Sequence, residues 1–471
     1  MKRALLLIAV AALAGCALKA PPGHDEIVGQ ALPTATRIPP SWKANPASGV
    51  VADDWLKSLN DPVLDALVAE AIANNLDLRI AAGKVAVAQQ SAIVVGSQLL
   101  PRVGAVLGAR ATYDADHSGT SDSTIAYAGV AWELDVWGRL RAQRAAFEAG
   151  YEATAFDYAY ARQSVAATTA KLWYLTVATR QLVALAEQAV TIYSQLFSLV
   201  QQRRTAGKDS DLDVVDVQAK LDTARSDVER ARQQYGEARR GLEVLLGRYP
   251  AAEIAVAAAY PPLPALVGAG VPSALLERRP DLMAAEREVI AAFRGTEAAQ
   301  LALLPEFSFS FVGGRLGDQV LSLLRLNPWL ASAGIGVSIP IYTGGALQAK
   351  VEIATARQAQ AVAHYGAVAL TAFREVENSL ANEQLLALQL PLDQRALDSR
   401  SEAVRIATVQ YKAGRRDLLW VAQLQSAQLA SAADVIKLQG AQRANRIHLH
   451  QALGDSFDAS PALTTSLTPR P

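Results

Sequence analysis

The sequence predicts an α+β membrane protein built by internal duplication, with two pairs of long strands, each pair followed by a long helical hairpin. Three observations predict it. Val130–Gln143 (VAWELDVWGRLRAQ) alternates as far as Trp137-Gly138, then becomes an Ala-, Arg- and Gln-rich helical pattern. The same change recurs roughly 207 residues later at Val337–Lys350 (VSIPIYTGGALQAK). After each corner, helical periodicity continues far beyond the length of an ordinary globular helix.

Composition fits this reading. The chain has 471 residues, 51% hydrophobic but only 6% aromatic, so its apolar content is mostly Ala, Leu and Val, which suits close-packed helices. Lys+Arg and Asp+Glu balance at 45 each, and removing Lys2 and Arg3 with a leader leaves 43 against 45. Nucleic-acid binding, which needs a basic face, is disfavoured.

Residues 1–15 have a signal-peptide layout: Lys2 and Arg3, an apolar run, then Leu13-Ala14-Gly15 before the only cysteine. Leu13-Ala14-Gly15-Cys16 resembles a bacterial lipobox, making Cys16 the expected lipidated first residue. Ala17 behind it resembles lipoproteins sorted to the outer membrane. Residues 16–59, rich in Pro and Gly at the start, read as a lipidated tether. No later stretch reads as apolar enough for a transmembrane helix, so strands would have to make any crossing.

The first repeat, residues 60–247, opens with a helix from about Pro62 to Gln98, and Pro101 stops it. The strand at about 102–113 points Val103, Ala105, Leu107, Ala109, Ala111 and Tyr113 one way and Arg102, Gly104, Gly108 and Arg110 the other. A polar loop, 114–123, leads to a returning strand at about 124–136. In the second repeat, residues 272–454, the strands fall at about 305–315 and 332–342. There Phe307, Phe309 and Phe311 alternate with Glu306, Ser308 and Ser310. Strands of about a dozen residues with one apolar face match transmembrane β-strands; the bland alternative is half-buried strands of a soluble sandwich. Four strands cannot close a barrel alone, so several chains would have to share one.

From Gly138 to about Arg204 there is no Pro, allowing a helix of some 65 residues, or roughly 100 Å. Leu175, Ala178, Leu182, Leu185, Ala189, Ile192, Leu196 and Leu199 keep 3-4 spacing. After Ala206-Gly207, so do Val214, Val217, Leu221, Ala224, Val228, Ala231, Tyr235, Ala238, Leu242 and Leu245. Residues 248–271 are a linker. The second long helix, from about Gly345 to Lys412, has to accommodate Pro391 as a kink or local break. It turns at Ala413-Gly414, and a polar tail at 455–471 reads as flexible.

Asp54-Trp55, Asp61-Pro62, Arg279-Pro280-Asp281-Leu282, Leu304-Pro305, Asp135-Val136-Trp137-Gly138 and the two Ala-Gly turns together resemble the outer membrane efflux protein family. These are the TolC-type outer-membrane factors, and within them the NodT-type lipoproteins. The resemblance covers about residues 50–455. It implies a homotrimer sharing a 12-stranded outer-membrane barrel that continues into a periplasmic helical barrel. It also implies a periplasmic adaptor and an inner-membrane pump as partners. The function implied is a passive exit duct for drugs or other small molecules. Protein secretion, or a pore-less periplasmic coiled-coil scaffold, are the alternatives.

In that family the hairpin tips close the periplasmic end through acidic and Arg/Tyr contacts. Tyr411, Arg416 and Asp417 match the second tip. Trp420 and Gln423 depart from the pattern, standing where relatives often have acids. The first tip carries Asp209, Asp211, Asp213 and Asp216, and Asp211, Asp213 and Asp216 are expected to supply a negative ring facing Arg416. An acidic helix start can equally be a solvated, dipole-favourable end. No cofactor or metal is expected: His24, His117, His364, His448 and His450 show no ligand spacing, and no phosphate loop or nucleophile elbow appears, which disfavours an enzyme.

Overall fold

The structure, a computed structural model, describes residues 18–44, 49, 51, 53–114, 119–265, 268–317 and 330–458. The signal peptide and Cys16 lie outside the described residues. The elements in order are α1 (His24–Ala31), α2 (Trp55–Ser58), α3 (Pro62–Asn74), α4 (Leu76–Gly96), β1 (Arg102–Asp114) and β2 (Gly119–Leu134). They continue with α5 (Arg139–Thr205), α6 (Asp211–Leu245), α7 (Pro272–Leu275), α8 (Pro280–Leu301), β3 (Glu306–Gly317), β4 (Leu330–Ser338), α9 (Ala346–Lys412) and α10 (Leu418–Ala452). The helical hairpins repeat closely. α5 and α9 are both 67 residues and α6 and α10 both 35. Pro391 sits inside α9 without ending it.

The chain divides into two compact units. The first comprises Met1–Thr36, Gly83–Phe156 and Met283–Val368. Within it the four strands form one antiparallel sheet in the order β1-β2-β3-β4. Registers Val103↔Val130, Val130↔Phe311 and Phe311↔Ala333 put one apolar row on one face. Arg102↔Ala131, Ala131↔Ser310 and Ser310↔Gly334 put a polar and small row on the other. Val106, Ile125, Tyr127, Val312 and Leu330 interrupt that polar face. The alternation read from the sequence is therefore the alternation of the sheet. The strands run further into the loop than expected: Gly119–Ser123 belongs to β2.

At the helix end of the sheet, Trp132 Nε1 donates to Leu99 O (2.9 Å) and Trp137 Nε1 to Pro305 O (2.8 Å), while Trp137 packs on Phe307 at 6.3 Å between centroids. Tryptophans with an apolar body and a satisfied N–H suit a membrane boundary. The corner after β2 is built by Asp135, whose carboxylate accepts from Leu140 N (3.0 Å) and Arg141 N (3.0 Å) at the free N-terminus of α5.

The second unit comprises Arg37–Ala82, Asp157–Leu282 and Ala369–Pro471. Its core gathers Trp55, Leu64, Leu67, Trp173, Tyr174, Leu242, Leu246, Ile447 and Phe457. Asp61 caps α3 through Leu64 N (3.1 Å) and also takes the Trp173 indole N–H (2.8 Å). Residues 248–271 form no helix or strand among the described residues, and side chains satisfy several of their backbone groups. Arg239 donates to Ile254 O (3.0 Å), Arg443 to Pro261 O (2.6 Å) and Arg446 to Pro264 O (2.9 Å). Glu243 accepts from Ala252 N and Glu253 N (both 2.6 Å).

Several expectations are corrected. The helix expected from Pro62 to Gln98 is two helices, because Asn75 is extended, caps α4 through Leu78 N (3.0 Å) and donates to Leu245 O (3.2 Å). The tether is docked. It contains α1; Lys19 N donates to Glu297 (2.7 Å), and Lys43 N and Ala44 N donate to Glu377 (2.9 and 2.8 Å). The tail is not free at its start: Asp455 is buried on His450 (2.7 Å) and Phe457 lies in the core. Leu175, placed in the heptad seam, is exposed; Ala178 and Leu196 of that seam are buried, and Tyr193 and Val200, outside it, are buried with them. The expectation that no later stretch could span a membrane as a helix also fails on composition. Leu76–Leu99 and Arg139–Thr205 are long and apolar enough, largely through Ala, Val and Leu.

Candidate functional site

The residues singled out for a gate lie at the two hairpin turns, both in the second unit. The turns share one backbone. Gly207 (φ +71) and Gly414 (φ +72) adopt the left-handed conformation that glycine enters without strain. At the first turn Lys208 N donates to Arg203 O (2.8 Å) and Gly207 N to Arg204 O (2.9 Å); at the second, Arg415 N donates to Gln410 O (2.9 Å) and Gly414 N to Tyr411 O (2.9 Å). These paired bonds satisfy the last carbonyls of each helix.

Each return helix is capped. Ser210 Oγ accepts from Asp213 N (3.2 Å) while the Asp213 carboxylate accepts from Ser210 N (2.9 Å). Asp417 accepts from Trp420 N (3.0 Å). Asp213 and Asp417 thus hold helix starts, in the first case as a reciprocal capping box. The other expected acids also have partners within the chain. Asp211 pairs with Arg204, and Asp216 pairs with Lys220 (3.0 Å) one turn on. Arg416 reaches none of these aspartates; its guanidinium lies 4.5 Å over the Trp420 ring.

What joins the two tips is Tyr411. It is 1% exposed and packs among Val200, Val217, Leu418 and Val421. Its hydroxyl donates to Asp209, whose carboxylate also takes Arg203 Nε (3.0 Å). The Arg203 guanidinium sits 4.4 Å over the Tyr411 ring. Burial first, then the bond to Asp209, hold the Tyr411 phenol well above its ordinary pKa, so it remains a donor. Sequence reasoning placed Tyr411 at the second tip but left Arg203 unnamed and Asp209 outside the expected ring. The available signal was a tyrosine on an apolar stripe, whose buried hydroxyl needs a partner.

An Arg–carboxylate–phenol cluster joins one hairpin tip to the other, with Asp211, Asp213 and Asp216 on the first turn of α6 and the next turn beside it.

The description "Outer membrane efflux protein" matches residues 67–248 and 271–455. The pyoverdine export outer membrane protein OpmQ of Pseudomonas aeruginosa is 30% identical over 447 residues, covering 91% of this chain and 93% of OpmQ. The cation efflux system protein CusC of Escherichia coli is 26% identical over 450 residues, covering 95% and 97%. Among solved structures, a membrane protein from Pseudomonas aeruginosa is similar with a TM-score of 0.82 at 26% identity, over 90% of this chain and 98% of that one. The outer-membrane channel OprN is similar in fold, with a TM-score of 0.81 at 24% identity over 91% and 99%.

Proposed function

The chain belongs to the outer membrane efflux protein family, and from that premise we propose that three copies share one 12-stranded barrel, four strands from each. It is an outer-membrane efflux channel reaching into the periplasm. The observation that carries the assembly is the sheet itself: among the described residues β1 and β4 each pair on one side only, and one face is apolar. An open edge in hydrocarbon would leave backbone groups unsatisfied, so closure by further copies is required.

In this reading the chain is a passive exit duct within a tripartite system. A periplasmic adaptor engages it and an inner-membrane pump supplies the energy; the chain itself catalyses nothing. The hairpin tips form the periplasmic gate, with the Arg203–Asp209–Tyr411 cluster as its latch. Lipidated Cys16 anchors the chain in the outer membrane. Leu18, two residues on, lies beside Gly138 at the strand-to-helix corner, which would bring acyl chains close to the tryptophan boundary. OpmQ is named for pyoverdine export and CusC for cation efflux.

The assembly is tested by Phe309→Arg and Ser310→Arg. Phe309 stands between Trp132 and Ile335 on the apolar face, Ser310 between Ala131 and Gly334 on the other. The first substitution should cost about 2–4 kcal/mol per chain and abolish membrane-inserted trimer. The second should leave trimer, read as three chain masses in detergent, and change only conductance. Equal loss in both would refute the barrel. For the anchor, mass spectrometry of the mature protein should find lipid on Cys16 and none in Cys16→Ser.

A further inference from the structure

Where the sheet meets the helices, its polar face runs into a groove that lies wholly within the first unit. Two adjoining cavities of about 660 and 530 Å³ share Ala146, Phe147 and Gly295. Glu306 and Ser338, paired on the polar face, line the first of them beside Arg139. Every lining residue from α8 is Ala or Gly, and a side chain begun at Gly295 would meet nothing within 4 Å. α5 adds Phe147, which is 45% exposed, and Tyr151; α9 adds Lys350 and Arg357. The tether lies on a different face of α8, held by Glu286, Arg294 and Glu297. Among the described residues the carboxylate lining the groove is Glu306, which shares Arg139 with Glu133 (3.6 and 2.6 Å). Glu288, a turn before Ala291 on α8, faces His364 at 4.0 Å. Lys350 and Arg357 are exposed and have no carboxylate partner among the described residues. They stand two turns apart on one face of α9, about 10 Å.

We propose that this groove is a binding station for amphiphilic anionic cargo, taking an aromatic or aliphatic body against Phe147 and a carboxylate, sulfonate or phosphate at Lys350 and Arg357. The inference rests on the reading above, in which the polar face lines the lumen. Small-molecule sites are concave, mostly apolar and oriented by a few polar groups, with volumes of about 300–1,000 Å³. This groove has that make-up. The Ala and Gly surface of α8 lets a flat body approach the backbone closely, and Phe147 offers it a ring to stack on. Ammonium and guanidinium groups without a carboxylate of their own are free to make charge-assisted hydrogen bonds to an acid. A cationic cargo of the same shape finds the nearby carboxylates already engaged by Arg139.

Full-length protein in lipid nanodiscs is titrated with naphthalene-1-sulfonate, with 1-naphthylmethylammonium as the cationic counterpart and protein-free nanodiscs as the blank. The sulfonate should bind, and the ammonium should not exceed the blank. Lys350→Ser/Arg357→Ser should weaken sulfonate binding roughly tenfold, whereas Lys350→Arg/Arg357→Lys should keep it. Phe147→Ala should weaken it about threefold. Gly295→Leu fills open space without a clash, so it should abolish binding while the assembly keeps its mass. Equal sulfonate affinity in the wild type, the serine variant and Gly295→Leu overturns the proposal, as does equal binding of the ammonium ion. Conductance of the same protein in planar bilayers keeps the two readings apart. Binding as expected without conductance contradicts the duct and leaves the groove standing; conductance without binding leaves the duct and removes the groove.

Discussion

At the first hairpin tip, Ala206-Gly207 is followed by Asp209, Ser210 and Asp213. At the second, Ala413-Gly414 is followed by Arg416, Asp417 and Trp420. The backbone bonds of the two turns match one for one, yet an acid at one tip stands where the other has arginine. The two copies have diverged at side chains while keeping one backbone. A left-handed glycine and a side-chain cap fix the turn, and few other positions are constrained by it. Charge was therefore free to separate, and the latch forms between the tips, where Tyr411 of one reaches Asp209 of the other.

Substitutions at Tyr411 should have the largest effect on the two tips. Tyr411→Ala removes a buried aromatic and should destabilise the tips by about 3–5 kcal/mol, read as loss of hydrogen-exchange protection in both turns. Trp420→Ala at the partly exposed position should cost far less. If the two cost the same, the tips are alike in packing and the asymmetry is superficial. Tyr411→Phe isolates the hydroxyl, leaving Asp209 one donor short, at about 1–3 kcal/mol.

Gly207→Ala and Gly414→Ala probe the backbone that the two turns share. Each forces an L-residue into the left-handed region at about 1–2 kcal/mol, and the two costs should agree because the backbones do. Ser210→Ala and Asp417→Ala should each cost about 1 kcal/mol in exchange protection of the return helix. Smallest of all, Asp211→Asn should cost about 0–1 kcal/mol, since the pair with Arg204 is exposed.

Much of this was legible from the sequence. Strand alternation named the faces of the sheet because side chains alternate with the backbone whatever surrounds them. The Ala-Gly turns and long helices were equally plain, since Gly, Pro and heptad spacing act locally. What was not legible depended on contacts across the chain. Asn75 splits a helix by bonding to Leu245, 170 residues away, and His450 holds the start of a tail that looked free. At the tips, the sequence pointed to Asp211, Asp213 and Asp216 by their number. The folded chain uses Asp213 as a cap and Asp211 and Asp216 in local pairs, and gives Asp209 the longer-range role.

Single-channel conductance in planar bilayers shows whether the Arg203–Asp209–Tyr411 cluster latches the channel shut. Asp209→Ala combined with Tyr411→Phe should raise conductance well above wild type, whereas Arg416→Ser combined with Asp213→Ala should raise it less. Wild-type conductance in the Asp209/Tyr411 variant, together with a rise on truncating Trp420, would mean that an apolar plug at the second tip closes the duct, and the latch would be wrong.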